Sequence, residues 1–387
     1  MAIDVTVNIS ALTTQGKSYR ICRRCIMDTS DPDIVFDERG VCSHCHRYEQ
    51  MLSVESYVKK RQSGALDEIV RVIKQAGKNK RYDCIIGVSG GVDSTYTAYL
   101  VKKLGLRPLA VHLDNGWDSE LAVSNIEKVL KNLDIDLYTY VLDWDEFKDL
   151  QLAFLKSSTP DSEIPTDHAI LAVLYKVAAE EHVRYIINGH NMATEGGGVA
   201  AWSQGHGDWR YIESVHAQFG VRPIKSFVHY GILSFIYYSI IRGIRWIPLL
   251  DYLDYDKVEA LDVLENELGW RYYGGKHYES IYTRFYQGFI LPTKFGFNKK
   301  RLHLASLIWS GQMSRETALE EMDKVDYPVE LQEQDKQYVI KKLGISAEEF
   351  GQIMQMPPKS FWDYPSYKRI LGKSRLLMQV YHSLKRS

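Results

Sequence analysis

Short apolar segments alternate with stretches of helical periodicity from residue 82 onward. Four apolar segments rich in β-branched side chains predict strands at 83–88, 107–113, 136–142 and 183–188. Helical spacing of apolar positions predicts the helices at 94–104, 118–132, 145–156 and 167–182. A fifth strand is predicted at 243–250, followed by a helix with Asp256 as N-cap and Gly269 at its end. This alternation is typical of an α/β protein with a doubly wound parallel sheet.

The pattern divides the chain into four segments. A cysteine-rich N-terminal segment is followed by a charged helical connector, the alternating strands and helices, and a mainly helical C-terminal region that we expect to complete the active site. Their predicted bounds are 1–50, 51–81, 82–270 and 271–387. In the last segment Ser346 precedes a helical stretch as N-cap, and Glu349 is placed to close a capping box with it.

Composition narrows the class of protein. The 387 residues are 45% hydrophobic and 25% charged, as in globular proteins with a large core. The formal net charge of −1 gives no general attraction to polyanions, so we expect no nucleic-acid partner. The first residues, MAIDVTVNIS, lack the basic and apolar regions of a signal peptide, and we therefore expect a cytoplasmic protein.

The most apolar stretch is SFVHYGILSFIYYSII at 226–241, which His229, Tyr230, Ser234 and Ser239 interrupt. It is shorter than the roughly 20 apolar residues that a transmembrane helix needs. We therefore predict no transmembrane segment and interpret the stretch as a buried helix or a docking surface. An interfacial membrane helix is the alternative.

Four of the five cysteines form two CxxC pairs, CRRC and CSHC. Two such turns can close a tetrahedron of thiolates around one ion, so the spacing predicts a structural zinc site with the ligands Cys22, Cys25, Cys42 and Cys45. Disulfides are the alternative, which a reducing cytoplasm disfavours. The fifth cysteine, Cys84, lies in a predicted strand and is interpreted as a buried core residue rather than a nucleophile.

The first predicted strand ends in Ser89-Gly90-Gly91-Val92-Asp93-Ser94, directly before a helix. A glycine-rich turn at a helix N-terminus binds anions, because amide groups point at the ligand and the helix dipole adds positive charge. Ser89 and Ser94 add hydroxyl donors, and Asp93 can hold a magnesium ion that bridges phosphate oxygens. The turn therefore predicts a site for a polyphosphate and its metal. Neither the P-loop pattern GxxxxGKS/T nor the dinucleotide pattern GxGxxG fits here.

Other strand ends should converge on this turn, because ligands of an open parallel sheet lie beyond the carboxyl ends of the strands. The second strand ends in residues suited to adenine and ribose, namely Leu113, Asp114 and Asn115. The fourth strand is followed by further candidates for nucleotide or substrate contact, namely Gly189, His190 and Asn191. Glu195 is a candidate second magnesium ligand and catalytic residue, and the glycines after it suggest a mobile loop over the substrate.

Two more segments supply candidate contacts. IPTDH begins a helix with Thr166 as predicted N-cap and substrate contact, and we interpret Asp167 and His168 either as capping residues or as substrate contacts. Lys276 follows two glycines and is the first candidate for a cation that offsets the charge on departing pyrophosphate. Lys294 is a second catalytic candidate, and Arg284 a candidate substrate contact. A solvated basic face is the alternative for these cations.

The hexapeptide resembles the SGGxDS signature of the PP-loop ATP pyrophosphatases. The resemblance implies a sheet of the adenine-nucleotide alpha-hydrolase (PP-loop/HUP-like) type. It also implies that the loop holds the β- and γ-phosphates of ATP with Mg²⁺ while a substrate oxygen attacks the α-phosphorus. Pyrophosphate and an adenylated substrate would result.

A wider set of motifs over residues 20–325 resembles the N-acetyl sugar amidotransferases. The set comprises CRRC and CSHC, SGGVDS, LDNG, IPTDH, NGHN, TEGGG, WIPLLDYLDY and KFGFNKKRLHLASLIWSGQMSRETAL. This resemblance implies conversion of a sugar N-acetyl group into an amidine for bacterial surface polysaccharides such as the lipopolysaccharide O-antigen. ATP, Mg²⁺ and Zn²⁺ are the implied cofactors. The expected acceptor is a nucleotide sugar or a free sugar acid.

Ammonia for this reaction is expected from another protein. Glutaminases of both common types use a catalytic cysteine, at the mature N-terminus or in a nucleophile elbow. Here Ala2 follows Met1, the elbow motif is missing, and the five cysteines already have other interpretations. We therefore expect a separate glutaminase subunit, which in this family resembles that of imidazole-glycerol-phosphate synthase and has a cyclase-like companion. The stretch 226–241 is a candidate docking surface for it.

Two other functions stay open. Some tRNA thiolation enzymes also join zinc-binding cysteines to SGGxDS, but they usually need reactive cysteines near the ATP site and a basic surface. A zinc-bearing ATP-binding module that assists assembly without turnover is the non-enzymatic alternative.

Overall fold

The central sheet has five parallel strands, all of them predicted from the sequence. The computed structural model describes residues 18–371, so Ala2 and the rest of 1–17, and also 372–387, lie outside the described residues. The strands are β1 (Cys84–Gly87), β2 (Pro108–Asp114), β3 (Asp136–Val141), β4 (Tyr185–Asn188) and β5 (Arg245–Pro248). Their order across the sheet is β3-β2-β1-β4-β5, which confirms the predicted α/β class.

Helices cover the sheet and form most of the remainder of the described chain. In chain order they are α1 (Ser43–Ser53), α2 (Glu55–Lys60), α3 (Ala65–Ala76), α4 (Val92–Lys103), α5 (Glu120–Asn132), α6 (Trp144–Lys156), α7 (Ile164–Glu180), α8 (Met192–Glu195), α9 (Trp209–Phe219), α10 (Ile232–Ile236), α11 (Lys257–Leu268), α12 (Ile281–Phe285), α13 (Lys299–Trp309), α14 (Arg315–Asp323), α15 (Val329–Leu343), α16 (Ala347–Gln355) and α17 (Tyr367–Leu371). Tyr237–Ile241 and Tyr286–Phe295 form π-helical segments, and Leu249–Tyr252 and Phe361–Asp363 form 3-10 turns.

Both faces of the sheet are buried at β1, β2 and β4, which explains why these strands are apolar without alternation, whereas the edge strand β3 is largely exposed. On one face Ile86 of β1 packs with Ala98 of α4 and Ile126 of α5. On the other face Ile85 packs with Val173 of α7. The sheet is therefore wound by helices on both sides.

The strand order reverses between β1 and β4, so the crevice beyond their carboxyl ends is the expected ligand site. In register, Ile85 pairs with Ile186 and Ile86 with Ile187. The SGGVDS turn after β1 and the Gly189 turn after β4 are consequently neighbours at this edge.

Most of the helix caps predicted from the sequence are found in the structure. Asp256 caps α11 by accepting from the amides of Val258 and Glu259, and α11 ends at Gly269 in the left-handed conformation, as predicted. Ser346 caps α16, but the carboxylate of Glu349 lies 2.9 Å from the ammonium of Lys156, which takes it away from the predicted capping box. The connector predicted at 51–81 contains the end of α1 and the helices α2 and α3.

Two predictions of local structure were wrong. Thr166 is not an N-cap, because α7 begins at Ile164 with Pro165 in its first turn, where the fixed φ of proline suits a helix. The stretch 226–241 is not a buried helix: it forms two short helical segments that leave Leu233 83% and Ile241 71% exposed. Among the described residues no helix combines the length and apolarity needed to span a membrane.

Candidate active site

The SGGVDS turn forms an open helix N-terminus. Gly90 has φ +80°, a left-handed conformation that glycine adopts without strain. Gly91 is the N-cap of α4 and has no side chain to cover the first amides. Ser94 donates to the carbonyl oxygen of Gly91 over 3.1 Å and accepts from the amide of Ser89 over 3.3 Å, which closes the turn. The resulting ring of amides and hydroxyls suits phosphate oxygens.

Gly189, after β4, lies against the same turn. A Cβ placed on it would stand 2.7 Å from the carbonyl carbon of Asp93 and 2.8 Å from the amide nitrogen of Ser94. A side chain at this position would therefore displace the phosphate-binding turn. The glycine after β4 is explained by this close backbone approach.

A cavity of about 210 Å³ lies over the turn and contains two lysines, Lys257 and Lys276. Tyr272 and Tyr273 also line it. Burial, together with the charge of Lys276, lowers the pKa of Lys257. Burial also acts to lower the pKa of Lys276, but the carboxylates of Glu195 and Asp93 outweigh it and raise that pKa. Two lysine side chains therefore line the cavity where a polyphosphate would bind, and its carboxylates favour the charged form of Lys276.

Asp93 and Glu195 are held by different kinds of partner. The Asp93 carboxylate accepts from the hydroxyls of Tyr255 and Thr194, the latter over 3.1 Å. Glu195 lies 3.0 Å from the ammonium of Lys276 and 3.0 Å from Nδ1 of His190. Burial raises the pKa of Glu195, but these two cationic partners outweigh it and hold the pKa well below its usual range. Glu195 is therefore ionised.

A larger cavity of about 590 Å³ adjoins the first, and one end of it lies at the end of β2. Its walls there include Val111, Leu113 and Ile170 on the apolar side and Asn115 on the polar side. Asn115 donates to the hydroxyl of Thr166 over 3.3 Å. An apolar slot with one amide suits an adenine ring and its ribose.

The other end of this cavity is lined by titratable side chains from the start of α7, from the loop before α9 and from α13. The set comprises Asp161, Glu163, Asp167, His206, Lys299 and His303. His206 Nε2 lies 3.3 Å from Asp167 and 3.5 Å from Asp161. Burial acts to lower the pKa of His206, but the Asp161 and Asp167 carboxylates raise it overall. Trp202 and the hydroxyls of Ser203, Thr283 and Ser306 complete a wall suited to a polar, hydroxyl-rich ligand.

The four predicted metal ligands are brought together and buried. Their sulfur atoms all lie within 4.8 Å of one another. Sγ of Cys42 is 3.6 Å from that of Cys25 and 3.7 Å from that of Cys45. A tetrahedral zinc site with Zn–S bonds of about 2.3 Å has sulfur atoms about 3.8 Å apart. The donor set therefore fits one tetrahedral ion.

This metal site is joined to the larger cavity through the C-terminal region. Arg315, at the start of α14, donates to the carbonyl oxygens of Cys22 and Cys25 over 3.0 Å each. Trp309, at the end of α13, donates to Sγ of Cys45 over 3.2 Å. The four-cysteine cluster therefore anchors the helix that carries Lys299 and His303.

Two known families match parts of the chain. The family described as "NAD synthase" matches residues 65–159, which include β1, the SGGVDS turn and α4. The family described as "LPS biosynthesis protein WbpG-like, C-terminal domain" matches residues 279–379. Together the two matches support the family that the sequence motifs resemble, the N-acetyl sugar amidotransferases among the PP-loop ATP pyrophosphatases. The chain is thus an ATP-using enzyme of the amidotransferase type.

Similar proteins have varied functions. An uncharacterized protein of Methanocaldococcus jannaschii is 25% identical over 81% of this PP-loop chain and 96% of its own length. A glutamine-hydrolyzing GMP synthase of Pyrobaculum aerophilum is 41% identical over 18% of the chain and 14% of its own. A tRNA-specific 2-thiouridylase of Mesomycoplasma hyopneumoniae is 29% identical over 33% of the chain and 41% of its own.

Solved structures resemble the chain only loosely. The NH3-dependent NAD synthetase from Campylobacter jejuni has a TM-score of 0.28 and 18% identity, covering 38% of this chain and 62% of its own. The U34-tRNA thiolase NcsA from Methanococcus maripaludis, with its 4Fe-4S cluster, has a TM-score of 0.32 and 14% identity. The match covers 80% of this chain and 90% of the thiolase chain. Scores this low support no functional assignment.

The PP-loop family implies ATP and Mg²⁺, and the site has features that fit both. Gly91, the N-cap of α4, supplies no side-chain cap to the first amides of the helix, and carboxylates line the cavity above the turn. Oε2 of Glu279 is buried there without a hydrogen-bond partner among the residues that the structure describes. An orphaned carboxylate oxygen beside a phosphate cradle is suited to a divalent cation.

Most of the residues singled out in the sequence meet at these two cavities. Ser89, Gly91, Val92, Asp93, Ser94, Leu113, Asn115, Thr166, Asp167, Gly189, His190, Glu195 and Lys276 line one or both. Asp114 instead accepts from the amide of Gly116 within its own turn, and Asn191 caps α8. Both support the site's loops.

Three candidates lie elsewhere. Arg284 forms a two-pronged ion pair with Asp335, at 2.7 and 2.8 Å. Lys294 donates to the carbonyl oxygen of Ile353, and burial lowers its pKa to about 8. His168 is buried with both ring nitrogens bonded inside the protein. Their polar groups are committed to internal bonds, and the structure does not bring them to the cavities.

The sequence analysis missed several cavity residues, namely Asp161, Glu163, His206, Lys299, His303 and Glu279. One signal was available: Lys299, His303 and Ser306 follow helical spacing and lie on one face of α13, which lines the cavity. The mobile loop expected after Glu195 stays a prediction. A Cβ on Gly197 would stand 2.5 Å from the ring of Trp309, so the loop is packed tightly at this glycine.

Proposed function

We propose that this protein converts the acetamido group of a sugar into an acetamidino group, using ATP and ammonia. ATP becomes AMP and pyrophosphate. The acceptor is a nucleotide sugar or free sugar acid of a bacterial surface polysaccharide such as the lipopolysaccharide O-antigen. The match to the WbpG-like C-terminal domain supports this class of acceptor.

One observation carries the proposal: the two cavities share a wall. Residues that line both are Ser89, Ser94, His190, Glu195, Lys276, His277 and Glu279. With β- and γ-phosphates in the smaller cavity and adenosine at the β2 end of the larger one, the α-phosphorus is expected at this shared wall. The polar end of the larger cavity would then present an acceptor to it, and holding two reactants in this way supplies much of a catalytic rate.

The first proposed step is adenylation. The amide oxygen of the acceptor attacks the α-phosphorus, and the bond to pyrophosphate breaks. Lys276, with Lys257 nearby, is placed to offset the charge that develops on pyrophosphate. Asp93 would hold the magnesium ion, with Glu195 as the second candidate ligand that the sequence suggested, and the ion would neutralise phosphate charge.

The second proposed step is amination. Ammonia attacks the activated carbon of the acceptor, a proton leaves the new nitrogen, and AMP departs with the former amide oxygen. The product has exchanged one oxygen atom for one N–H group. Adenylation is needed because an amide oxygen is otherwise a poor leaving group.

We assign the four-cysteine cluster to zinc with a structural role. Sulfur separations of 3.6 to 3.8 Å suit a single tetrahedral ion. In a 4Fe–4S cluster each cysteine ligates a different iron, which places the sulfur atoms farther apart. All four sites of the tetrahedron belong to protein thiolates, so the ion has no open position for catalysis.

Ammonia is proposed to come from a separate glutaminase subunit, with a cyclase-like companion. All five cysteines lie within the described residues: four form the cluster, and Cys84 is buried in β1, where burial raises the pKa of its thiol. A buried neutral thiol is a poor nucleophile. The same finding weakens tRNA thiolation, the alternative that the 2-thiouridylase relative supports.

The test supplies purified protein with ATP, Mg²⁺, ammonium and a diacetamido uronic-acid nucleotide sugar, and measures AMP and pyrophosphate. We expect release that depends on the sugar and is lost in Asp93→Ala. Release with transfer RNA but not with sugars would favour thiolation. Lack of release with every acceptor would favour an assembly module.

A further inference from the structure

Three carboxylates line the smaller cavity, where the β- and γ-phosphates are proposed to bind. They differ in the hydrogen-bond and ion-pair partners that their oxygens already have. Glu195 is contacted by Lys276 and His190, one on each oxygen. Asp93 accepts a hydroxyl on each oxygen. Glu279 has Nδ1 of His277 3.4 Å from Oε1, while its Oε2 is buried without a hydrogen-bond partner in the part of the chain that the structure describes. Glu279 alone therefore has a buried oxygen left for a ligand.

Glu279 also lies at the phosphate-binding turn. Its Oε1 is 3.7 Å from the position that a Cβ would take on Gly91. The side chain is only 16% exposed and lines both cavities. It therefore faces the place where phosphate oxygens are expected.

The backbone fixes this position. The carbonyl oxygen of Glu279 accepts from the amide of Ser119, and Ser280 forms a β-bridge with Asp118 in the loop after β2. Just before it, His277 has φ +67°, a left-handed conformation that is strained for a residue with a side chain. Strain of this kind persists where the surrounding structure enforces it, often at functional sites.

A carboxylate beside a polyphosphate is unfavourable without a cation between them. Like charges in close contact repel each other, and a bound cation between them removes that repulsion. Lys276, which lines both cavities, is already paired with Glu195. Magnesium in phosphate sites is commonly held by one or two carboxylates plus phosphate oxygens.

We propose that Glu279 is a protein ligand of the magnesium ion that accompanies ATP, acting with Asp93, while Glu195 holds Lys276 and His190 in place. This inference rests on the proposed use of ATP, but not on the identity of the acceptor. Glu279 lies at the start of the C-terminal region, so that region contributes to nucleotide binding as well as to the acceptor pocket.

The test is binding, without turnover, of an ATP analogue with a methylene group between the α- and β-phosphorus. Wild type, Glu279→Gln and Glu279→Asp are titrated with the analogue in metal-free buffer, and then with Mn²⁺ at saturating analogue. Glu127→Gln changes an exposed side chain on α5 and is the control variant, which is prepared and titrated in the same way. Thermal unfolding confirms that each variant is folded.

Glu279→Gln should weaken Mn²⁺ binding by about tenfold or more, because the amide is a poorer ligand than a carboxylate. The same variant should bind the metal-free analogue at least as tightly as wild type, since a repelling charge is gone. Glu279→Asp should retain part of the Mn²⁺ affinity. If Glu279 had a purely structural role, Glu279→Gln would instead bind both Mn²⁺ and the metal-free analogue more weakly.

Unchanged Mn²⁺ affinity in Glu279→Gln, or parallel loss of metal-free nucleotide binding, overturns the inference and leaves the proposed function intact. Wild type that binds no analogue with or without Mn²⁺ overturns the proposed function itself, and the inference with it.

Discussion

Trp309 connects the four-cysteine cluster to the wall of the larger cavity. Its indole N–H donates to Sγ of Cys45 over 3.2 Å, and the same ring lies so close to Gly197 that a Cβ there would stand 2.5 Å away. The ring of Tyr48, from α1, packs on it with centroids 5.5 Å apart. One side chain thus transmits the geometry of the metal site to the glycine loop that lines the cavity.

Trp309→Phe is predicted to weaken zinc binding by about tenfold, the lower end of what the loss of a bond to a metal ligand costs. The phenyl ring keeps most of the packing but cannot donate to Cys45. Competition with a zinc-binding dye measures the effect. Trp362→Phe, an exposed change in the C-terminal region, is the control. Equal zinc affinities in Trp309→Phe and wild type would contradict this role.

Gly197→Ala is predicted to destabilise the protein by about 1–3 kcal/mol, because overpacking forces neighbouring groups to move. The added methyl would meet the ring of Trp309 and the side chain of Leu302, at 2.5 and 2.8 Å. Gly198→Ala is the matched control for stability, since no heavy atom lies within 4 Å of its Cβ position. Denaturant unfolding compares them, and equal stability would show that the loop has room to adjust.

His168 is predicted to make the protein acid-sensitive. Nδ1 donates to the carbonyl oxygen of His206 and Nε2 accepts from the amide of Tyr230, and the second of these bonds requires the neutral ring. Burial lowers the pKa of His168 to about 4. Below the ordinary histidine pKa of about 6.5, the unfolded chain takes up a proton that the folded chain excludes, so stability falls with pH.

This loss begins near pH 6.5, is complete below about pH 4, and amounts to about 3 kcal/mol. The measurement is the free energy of unfolding of wild type and His168→Asn across that range. The variant is less stable at neutral pH, but the difference between the two should shrink as pH falls. Parallel curves would refute the assignment of a neutral buried ring.

Lys299→Met is predicted to raise the KM for the sugar by about tenfold to a hundredfold, the effect of losing a hydrogen bond to a charged group. Within the described residues Lys299 has no hydrogen bond and no ion pair within 4 Å, although Asp161, Glu163 and Asp167 raise its pKa against the effect of burial. Its ammonium is therefore free to contact an acceptor oxygen.

The adjacent change Lys300→Met is the control, since Lys300 pairs with Asp326 and donates to the carbonyl oxygen of Glu321. Steady-state kinetics with ATP and sugar varied separately distinguish the roles. If Lys299→Met changed the KM for ATP and did not change the KM for the sugar, the polar end of the larger cavity would not be the acceptor site.

Local sequence patterns account for the structural features and site residues that could be predicted. β1 and α4 flank a turn whose six residues carry their own chemistry, so Asp93 and Ser94 could be assigned from sequence order alone. The cysteines were equally clear, because the spacing within each CxxC pair fixes two ligands on one turn. Asp256 and Gly269 mark the ends of α11 for similar local reasons.

The acceptor end of the cavity had no such local pattern. Asp161 precedes α7, His206 precedes α9, and Lys299 begins α13, so only tertiary packing brings them together. Arg284 failed as a candidate for the opposite reason: its charge looks available in sequence, but Asp335, on α15, pairs with it in the fold.

The central claim is that this enzyme exchanges the acetamido oxygen for nitrogen at the expense of ATP. The most direct test is mass spectrometry of the sugar after incubation with ATP, Mg²⁺ and a high concentration of ammonium, in parallel reactions with ordinary and ¹⁵N-labelled ammonium. We expect a product whose mass reflects loss of one oxygen and gain of one N–H, which carries the label, forms only with ATP and is absent with Asp93→Ala. AMP formation with a sugar of unchanged mass would contradict the account.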